Sequence, residues 1–549
     1  MKKLIFSSNS ISLITIILFS FLALLALLQN GIPLTHDGQD HLARIANFYA
    51  SLSEGILVPR WAGNLNWGYG HPVMMFLYPL PSYMASLFHF LGFDISNSFK
   101  LVFAFSFIAS AFSMYYWLRT FTGIYPALLG SVLYIYLPYR FVDMYVRGAI
   151  GEHVAFIFPP LICYFLVKSS LKGNLWNFTG IILSSAGLIL AHNAISIMFF
   201  PIIIFYGLLD YIKHKNLLVA IKQIGSIGYG VLLSAFFWIP AFLEGKYTLR
   251  DIVTGSDEYS HRYIDLKSLL YGDWNYGITG QFSTQIGLVG LAVLALGLFF
   301  LFKKYSAHRK SLFFWYGVFV VSIFVMLPIS KPIYEIFTIL QKFQFPWRFL
   351  SVTVFSVSVI SAIVFSYLSK NNQKIIVPIF LAVLLLISLP YMKAKGYLEK
   401  EDTFYSGIYS GTTDTGESAP IWSVRFMEKR PGRVAEFIDG YGRIFPQTRK
   451  TTVHAYEVQA TTSSKILENT LYFPGWNVYV DGKKAPIEFQ DQNHRGLITF
   501  PLSSGNHKID IIFKNTKVRL IANLISTICL LLLILLFVPK FIKVFTKKS

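Results

Sequence analysis

The sequence predicts an α-helical, polytopic membrane protein of about twelve spans, with a small extracytoplasmic β-sandwich near the C-terminus. Composition is the first reason. Of 549 residues, 54% are hydrophobic, 17% aromatic and 14% charged, and the mean hydropathy is +0.53. A soluble chain carries about 25% charged residues. The second reason is that apolar runs recur along the chain, near the ~20 residues needed to cross a hydrocarbon core. The third is a change of pattern after about residue 420, where apolar and polar residues alternate with period two between turn signals.

The first run, 11–28, follows MKKLIFSSNS. It lacks an A-x-A-like cleavage site, so it reads as an uncleaved helix with Lys2 and Lys3 inside. Further runs fall near 99–118, 124–138, 153–170, 177–191, 194–213, 217–238, 286–302, 312–329, 347–368, 374–391 and 517–539. A thirteenth, 72–92, is broken by Pro72, Pro79 and Pro81 and carries His71 and His89. Proline interrupts a helix, and aromatic-rich amphipathic helices lie in the interface. Leaving this run uncrossed places the basic loops near 213, 303 and 370 and the tail KFIKVFTKKS on one side. Lys and Arg collect on the cytoplasmic side, so both termini are expected there.

The expected organisation is a transmembrane domain over 1–395. Its first outer loop is long (29–98) and carries an interfacial helix near 76–91. A polar linker (396–419), a β-rich domain (420–515) and a final helix with a basic tail (516–549) follow. The net charge of +20 fits basic cytoplasmic loops, and nucleic acid is not an expected partner. Cys163 and Cys529 fall inside apolar runs and form neither a disulfide framework nor a metal motif.

Polar chemistry concentrates on the expected outer face. In GIPLTHDGQDHLARIANFYA, a helix over Leu34–Ala50 would put Asp37, Asp40, His41 and Arg44 on one side. The bland reading is a helix cap with an Asp–Arg pair. The chemical reading is a general base for an acceptor hydroxyl, or ligands for a divalent cation such as Mg or Mn. His36 and His41 flank the acids, without the spacing of a zinc motif.

The loop DMYVRGAIGEH carries Asp143, Arg147, Glu152 and His153. It reads either as a solvated loop or as an Arg for phosphate and a Glu for a metal or hydroxyl. His192 and Asn193 close a span as polar caps. Arg348 in FQFPWRFL is a snorkelling anchor or a bidentate phosphate ligand. Glu244 opens a later loop. Trp476, Tyr472 and Tyr479 are sugar-stacking candidates if they are not core residues.

HDGQDHLARI, PRWAGNLNWGYGHP, FLYPLPSY, DMYVRGAIGEHVAF, FQFPWRFL and YFPGWNVYVDGK, in that order, resemble the bacterial YfhO-like proteins. They also resemble the membrane proteins labelled 6-pyruvoyl-tetrahydropterin synthase-related. More broadly the chain resembles the GT-C superfamily of membrane glycosyltransferases. No part looks like a soluble pterin enzyme.

The resemblance implies a GT-C-like fold and a glycosyltransferase. Its donor would be a polyprenyl-phosphate-linked sugar, and its acceptor a cell-envelope glycan, lipid or protein on the outer face. Asp37 matches the catalytic first-loop acid, with Asp40 and Glu152 as further acids. Glu152 sits closer to Arg147 than the corresponding acid does in oligosaccharyltransferases. Arg147, Arg348 and Arg44 would contact the donor phosphate. His36, His41, Asp143, His192, Asn193 and Glu244 would be accessory. Asp37, Asp40 and Glu152 would be the ligands of any metal. Two other readings remain: a non-catalytic membrane scaffold, and a transporter or flippase of lipid-linked sugar. Transport is disfavoured because no internal repeat is evident and the acids lie at the outer mouth rather than at mid-membrane.

Overall fold

The computed structural model describes residues 7–253, 258–277, 281–302 and 308–537. The chain divides into two compact units, each discontinuous in sequence. The first comprises 1–38, 99–232 and 256–399; the second comprises 39–98, 233–255 and 400–549.

All twelve runs read as spans form helices, but of unequal length. Among the described residues, seven helices are long and apolar enough to cross a membrane. Two further candidates, Leu217–Leu233 with Ala235–Leu243 and Arg309–Phe324 with Pro328–Ile336, are bent by 67° and 92°. Counting each bent pair as one span gives nine, fewer than the twelve expected. Three runs, Ile124–Tyr136, Leu175–Ala191 and Leu288–Phe302, make shorter helices. Apolar composition alone does not set helix length. Ile124–Tyr136 starts after Gly123 at φ 100° and stops where Leu137 turns extended before Pro138, as a residue preceding proline tends to. Its 13 residues reach only ~20 Å. The 72–92 run forms two helices, Val73–Phe76 and Leu80–Phe90, separated by a break. Neither has the length of a span.

The first unit is built around the helix Leu350–Ser366, whose residues 350–365 are all buried. Its serines and threonine bond back to their own helix, as Ser358 does to Val354 O at 2.7 Å. Small residues then allow close packing. A Cβ on Gly130 would stand 2.9 Å from the Ser358 carbonyl, so Ile124–Tyr136 approaches to backbone distance there.

The second unit carries two antiparallel sheets. One has the order Gly442–Arg449, Val453–Ala460, Gly505–Phe513, Trp476–Val480, Lys483–Ala485; the other has Ala435–Asp439, Ser464–Leu471, Leu497–Leu502. Asp481 and Gly482 adopt φ 49° and 78°, the left-handed pair that a two-residue hairpin turn requires. Residues from both sheets meet at buried Glu468. It accepts from Arg449 at 2.6 Å and from Tyr456 at 2.5 Å.

This packing bears out the core reading of Trp476 over that of a sugar platform. Trp476 is 3% exposed and packs edge-on against Trp61. Tyr472 stacks on Phe489 at 3.9 Å, and the Tyr479 hydroxyl accepts from Lys514. In the same unit, Ala235–Leu243 packs on the final helix Lys517–Leu535. Buried Glu244 accepts from buried Arg519 at 2.8 Å.

Candidate active site

The opening acidic motif does not begin as a helix. Ile32 and Pro33 pair with Leu398 and Tyr397 as a short antiparallel ladder. The helix starts only at Gly38 and runs to Ser53. Asp37 therefore precedes the helix and does not share a helical face with His41 and Arg44. The cap also differs from the expected one, because Gly38 N–H donates to the Thr35 hydroxyl at 3.2 Å.

Backbone contacts hold this segment against the second loop. His36 N–H donates to Val146 O at 3.0 Å, and Asp37 N–H donates to Arg147 O at 2.9 Å. Residues 142–147 wind as a π-helix, a form frequent at functional sites. It ends at Gly148, which has φ 70°. A Cβ there would meet the Thr35 hydroxyl oxygen at 2.4 Å. Glycine thus serves both the left-handed turn and the close approach of the two loops.

Beneath this contact lies a buried charge network. Arg147 donates to Asp143 at 2.7 Å, to Glu152 at 2.8 Å and to the Tyr139 hydroxyl at 3.1 Å. Tyr139 donates to the other Glu152 oxygen at 2.8 Å. Arg348 donates from Nε to Glu152 at 3.1 Å and from Nη1 to Phe343 O at 3.0 Å. Asp143 and Glu152 are 0% and 1% exposed. An acid this enclosed is tenable because two guanidiniums and a hydroxyl surround it. Among the described residues Arg348 makes no hydrogen bond through Nη2.

Asp37 is the opposite case. Its side chain is exposed and makes no hydrogen bond or ion pair with any described residue. Its neighbour His36 is half-buried and contacts Gly277 O through Nε2. Burial pulls the His36 pKa below the ordinary histidine value. The ring is then neutral near pH 7, protonated on Nε2, with Nδ1 left as an acceptor.

The His36 ring packs on Phe282, and Phe282 packs edge-on to Trp347. Phe345 stacks on Trp347 at 4.5 Å, and Arg348 and Arg262 lie over Phe345 at 4.9 and 5.6 Å. Phe282, Trp347 and Arg262 border a polar cavity of 470 Å³ that also takes in Asp265, Asp273 and Asn275.

The other expected site residues fall into separate settings. His192 caps the helix Asn193–His214 by accepting from Ile195 N–H at 3.3 Å, and its ring lies within electrostatic reach of Glu152 and both arginines. Asn193 is the first residue of that helix. Asp40 accepts from the Tyr409 hydroxyl at 2.7 Å. Arg44 is buried, and it donates to the Thr413 hydroxyl, the Thr413 carbonyl and His41. These bonds tie Arg44 to Thr413 and His41 within its own unit. Glu244 is committed to Arg519 and is a packing anchor. Glu152 likewise accepts from Arg147 and Arg348 through one oxygen and from Tyr139 through the other.

Among the described residues no three His, Cys, Asp or Glu side chains group closely enough to hold a metal ion. With Glu152 enclosed by two arginines and Asp40 bonded to Tyr409, the donor set does not fit Mg or Mn. Local spacing in the sequence did not reveal Thr35, Tyr139, Phe282, Phe345 or Arg262. The aromatic run in FQFPWRFL was the one sign of Phe345.

Residues 75–394 match the family described as 6-pyruvoyl-tetrahydropterin synthase related domain, membrane protein. The chain belongs to this family of membrane proteins. An uncharacterized protein of Lactococcus lactis subsp. cremoris (strain MG1363) is 25% identical over 311 residues, 54% of this chain and 50% of the relative. The chain thus spans half the length of that relative. Two solved structures are similar in part. Arabinofuranosyltransferase AftD from Mycobacteria has a TM-score of 0.46 and 15% identity, over 69% of this chain and 26% of its own. ArnT from Cupriavidus metallidurans bound to undecaprenyl phosphate has a TM-score of 0.35 and 12% identity, over 72% of this chain and 67% of its own.

Proposed function

We propose that the protein is a GT-C-type membrane glycosyltransferase. It moves a sugar from a polyprenyl-phosphate-linked donor to a cell-envelope glycan, lipid or protein. Its working face lies outside a bacterial cytoplasmic membrane, with both termini inside. The observation that carries this reading is the pairing of an exposed, unpartnered Asp37 carboxylate with the buried Arg147–Glu152–Arg348 network directly behind its backbone.

The step balances without a nucleotide or a metal. The acceptor oxygen bonds to the anomeric carbon as the bond from that carbon to the phosphate oxygen breaks. The electron pair leaves with the polyprenyl phosphate, and the acceptor proton passes to Asp37. Arg348, with Nη2 uncommitted, neutralises the leaving phosphate. Arg147 supports it through the shared Glu152. The lipid tail of the donor stays in the bilayer, which brings its phosphate to interfacial arginines.

The test compares envelope glycans and glycolipids by mass spectrometry in a deletion strain, the same strain with wild type, and the same strain with Asp37→Asn at matched expression. A sugar modification should vanish on deletion, return with wild type and stay absent with Asp37→Asn. General-base loss typically costs about 10²–10⁴ in rate. Since the carboxylate is exposed and unpaired, stability should move by no more than ~0.5 kcal/mol. Full restoration by Asp37→Asn would remove Asp37 from the chemistry, and no change on deletion would end the transferase reading.

A further inference from the structure

The second unit holds a cavity of 390 Å³ with a strongly basic wall. Arg430, Arg433, Arg449 and Lys450 line it, together with Trp67. The one carboxylate in the lining, Glu54, accepts from Thr451 N–H through both oxygens at 3.1 and 3.0 Å. Arg449 is paired with Glu468. The side chains of Arg430, Arg433 and Lys450 make no hydrogen bond or ion pair with any described residue. Like charges gathered without partners repel one another, so this wall favours an anion.

The backbone beside it is strained in a specific way. Asn66, Trp67 and Gly68 follow one another at φ 53°, 61° and 84°. A bulky residue is a clear outlier in the left-handed region. The turn is held from outside itself: Asn66 N–H donates to Gly411 O at 2.8 Å, Trp67 N–H to Tyr409 O at 2.9 Å, and Arg449 to Gly68 O at 3.3 Å. Such strain persists where the surroundings over-determine it, commonly at ligand sites. Here it fixes Trp67 in the lining beside the unpaired cations.

We infer that this cavity binds a negatively charged saccharide. A sugar ring lies on the Trp67 indole, and its carboxylate or phosphate is held by Arg430, Arg433 and Lys450. Guanidinium suits both oxyanions because its fork donates two parallel bonds. The site lies in a different unit from Asp37, and the inference does not rest on the transferase reading.

The test uses the full chain in a zwitterionic detergent at low salt. Binding is measured by titration calorimetry with trigalacturonic acid, glucose 6-phosphate, neutral galactotriose and inorganic phosphate. At least one charged saccharide should bind about tenfold or more tightly than galactotriose, and added salt should weaken it. The uronate and the sugar phosphate separate the two sources of charge. Arg430→Gln with Arg433→Gln should abolish the preference. Trp67→Asn, which tolerates the left-handed turn, should weaken saccharide but not inorganic phosphate. Asp37→Asn should bind as wild type does. Equal binding of galactotriose, equal binding of bare phosphate, no binding of any probe, or loss in Asp37→Asn would each overturn the assignment.

Discussion

The backbone N–H of Asp37 donates to the carbonyl of Arg147 at 2.9 Å, so the exposed acid and the buried arginine are fixed to each other through main chain. The carboxylate of Asp37 stays free while its position is set. Gly148 permits this contact, because its left-handed turn brings Thr35 to a distance no side chain would allow.

Gly148→Ala should therefore separate position from presence. A left-handed alanine costs about 1–2 kcal/mol, and its Cβ would push Thr35 and the residues after it away. The variant should reach the membrane at normal levels yet lose most transfer, by the same glycan readout used for Asp37→Asn. Wild-type activity in Gly148→Ala would mean that the Asp37–Arg147 contact does not govern the reaction.

Glu152 is predicted to be a positioning residue. Its two oxygens accept from Arg147, Arg348 and Tyr139. Removing one partner of a buried pair typically costs about 3–5 kcal/mol, because the remaining charge is uncompensated. Glu152→Ala should lower the thermal midpoint in detergent strongly. Glu152→Gln, which keeps the shape and loses the charge, should lower it less and raise KM for the lipid donor as Arg348 loosens. A Glu152→Gln variant with unchanged stability and a lower kcat alone would instead point to direct chemistry.

Much of this was legible in the sequence, and the rest was hidden for physical reasons. The apolar runs located the helices, and the period-two alternation after about residue 420 located the strands. Helix ends were less legible, because Gly123 and the Leu137-Pro138 step cut a run that composition alone extends. Helical spacing placed Asp37 on a face with Arg44, yet the pairing of Ile32 and Pro33 with Leu398 and Tyr397 delays the helix to Gly38. Spacing also cannot say what a charge touches. Arg44 meets Thr413, and Glu152 meets Arg348, partners that no local pattern links.

The β-rich unit should weaken in acid through Glu468. Burial pushes this carboxyl up. The contact with His454 and the charges of His454 and Arg449 outweigh burial, and its pKa ends below the usual value of 4.5. A depressed carboxyl gives stability that is present above its unfolded value and is lost as pH falls through the folded one. Hydrogen-exchange protection in Val453–Ala460 and Ser464–Leu471, taken relative to the intrinsic rate at each pH, should fall as pH drops below about 4.5. Glu468→Gln should exchange faster at pH 7 and show a flatter acid limb. An unchanged slope would assign the acid response to other groups.

The final helix is predicted to be pinned to its own unit by one buried ion pair. Arg519 donates to Glu244 at 2.8 Å and also contacts the Pro474 carbonyl, and Thr516 at the start of the helix donates to Glu244. Both charged side chains are enclosed, at 0% and 3% exposure. Glu244→Gln alone leaves Arg519 facing carbonyls only, and should cost about 3–5 kcal/mol. Pairing it with Arg519→Met removes both charges and should recover most of that loss, since buried pairs replaced by apolar groups are often neutral. Thermal midpoints of the two single variants and the double variant in one detergent give the coupling directly. If Glu244 instead served the sugar-transfer chemistry, the double variant would regain stability but remain inactive. Recovery of both stability and glycan product would leave it a mechanical tether.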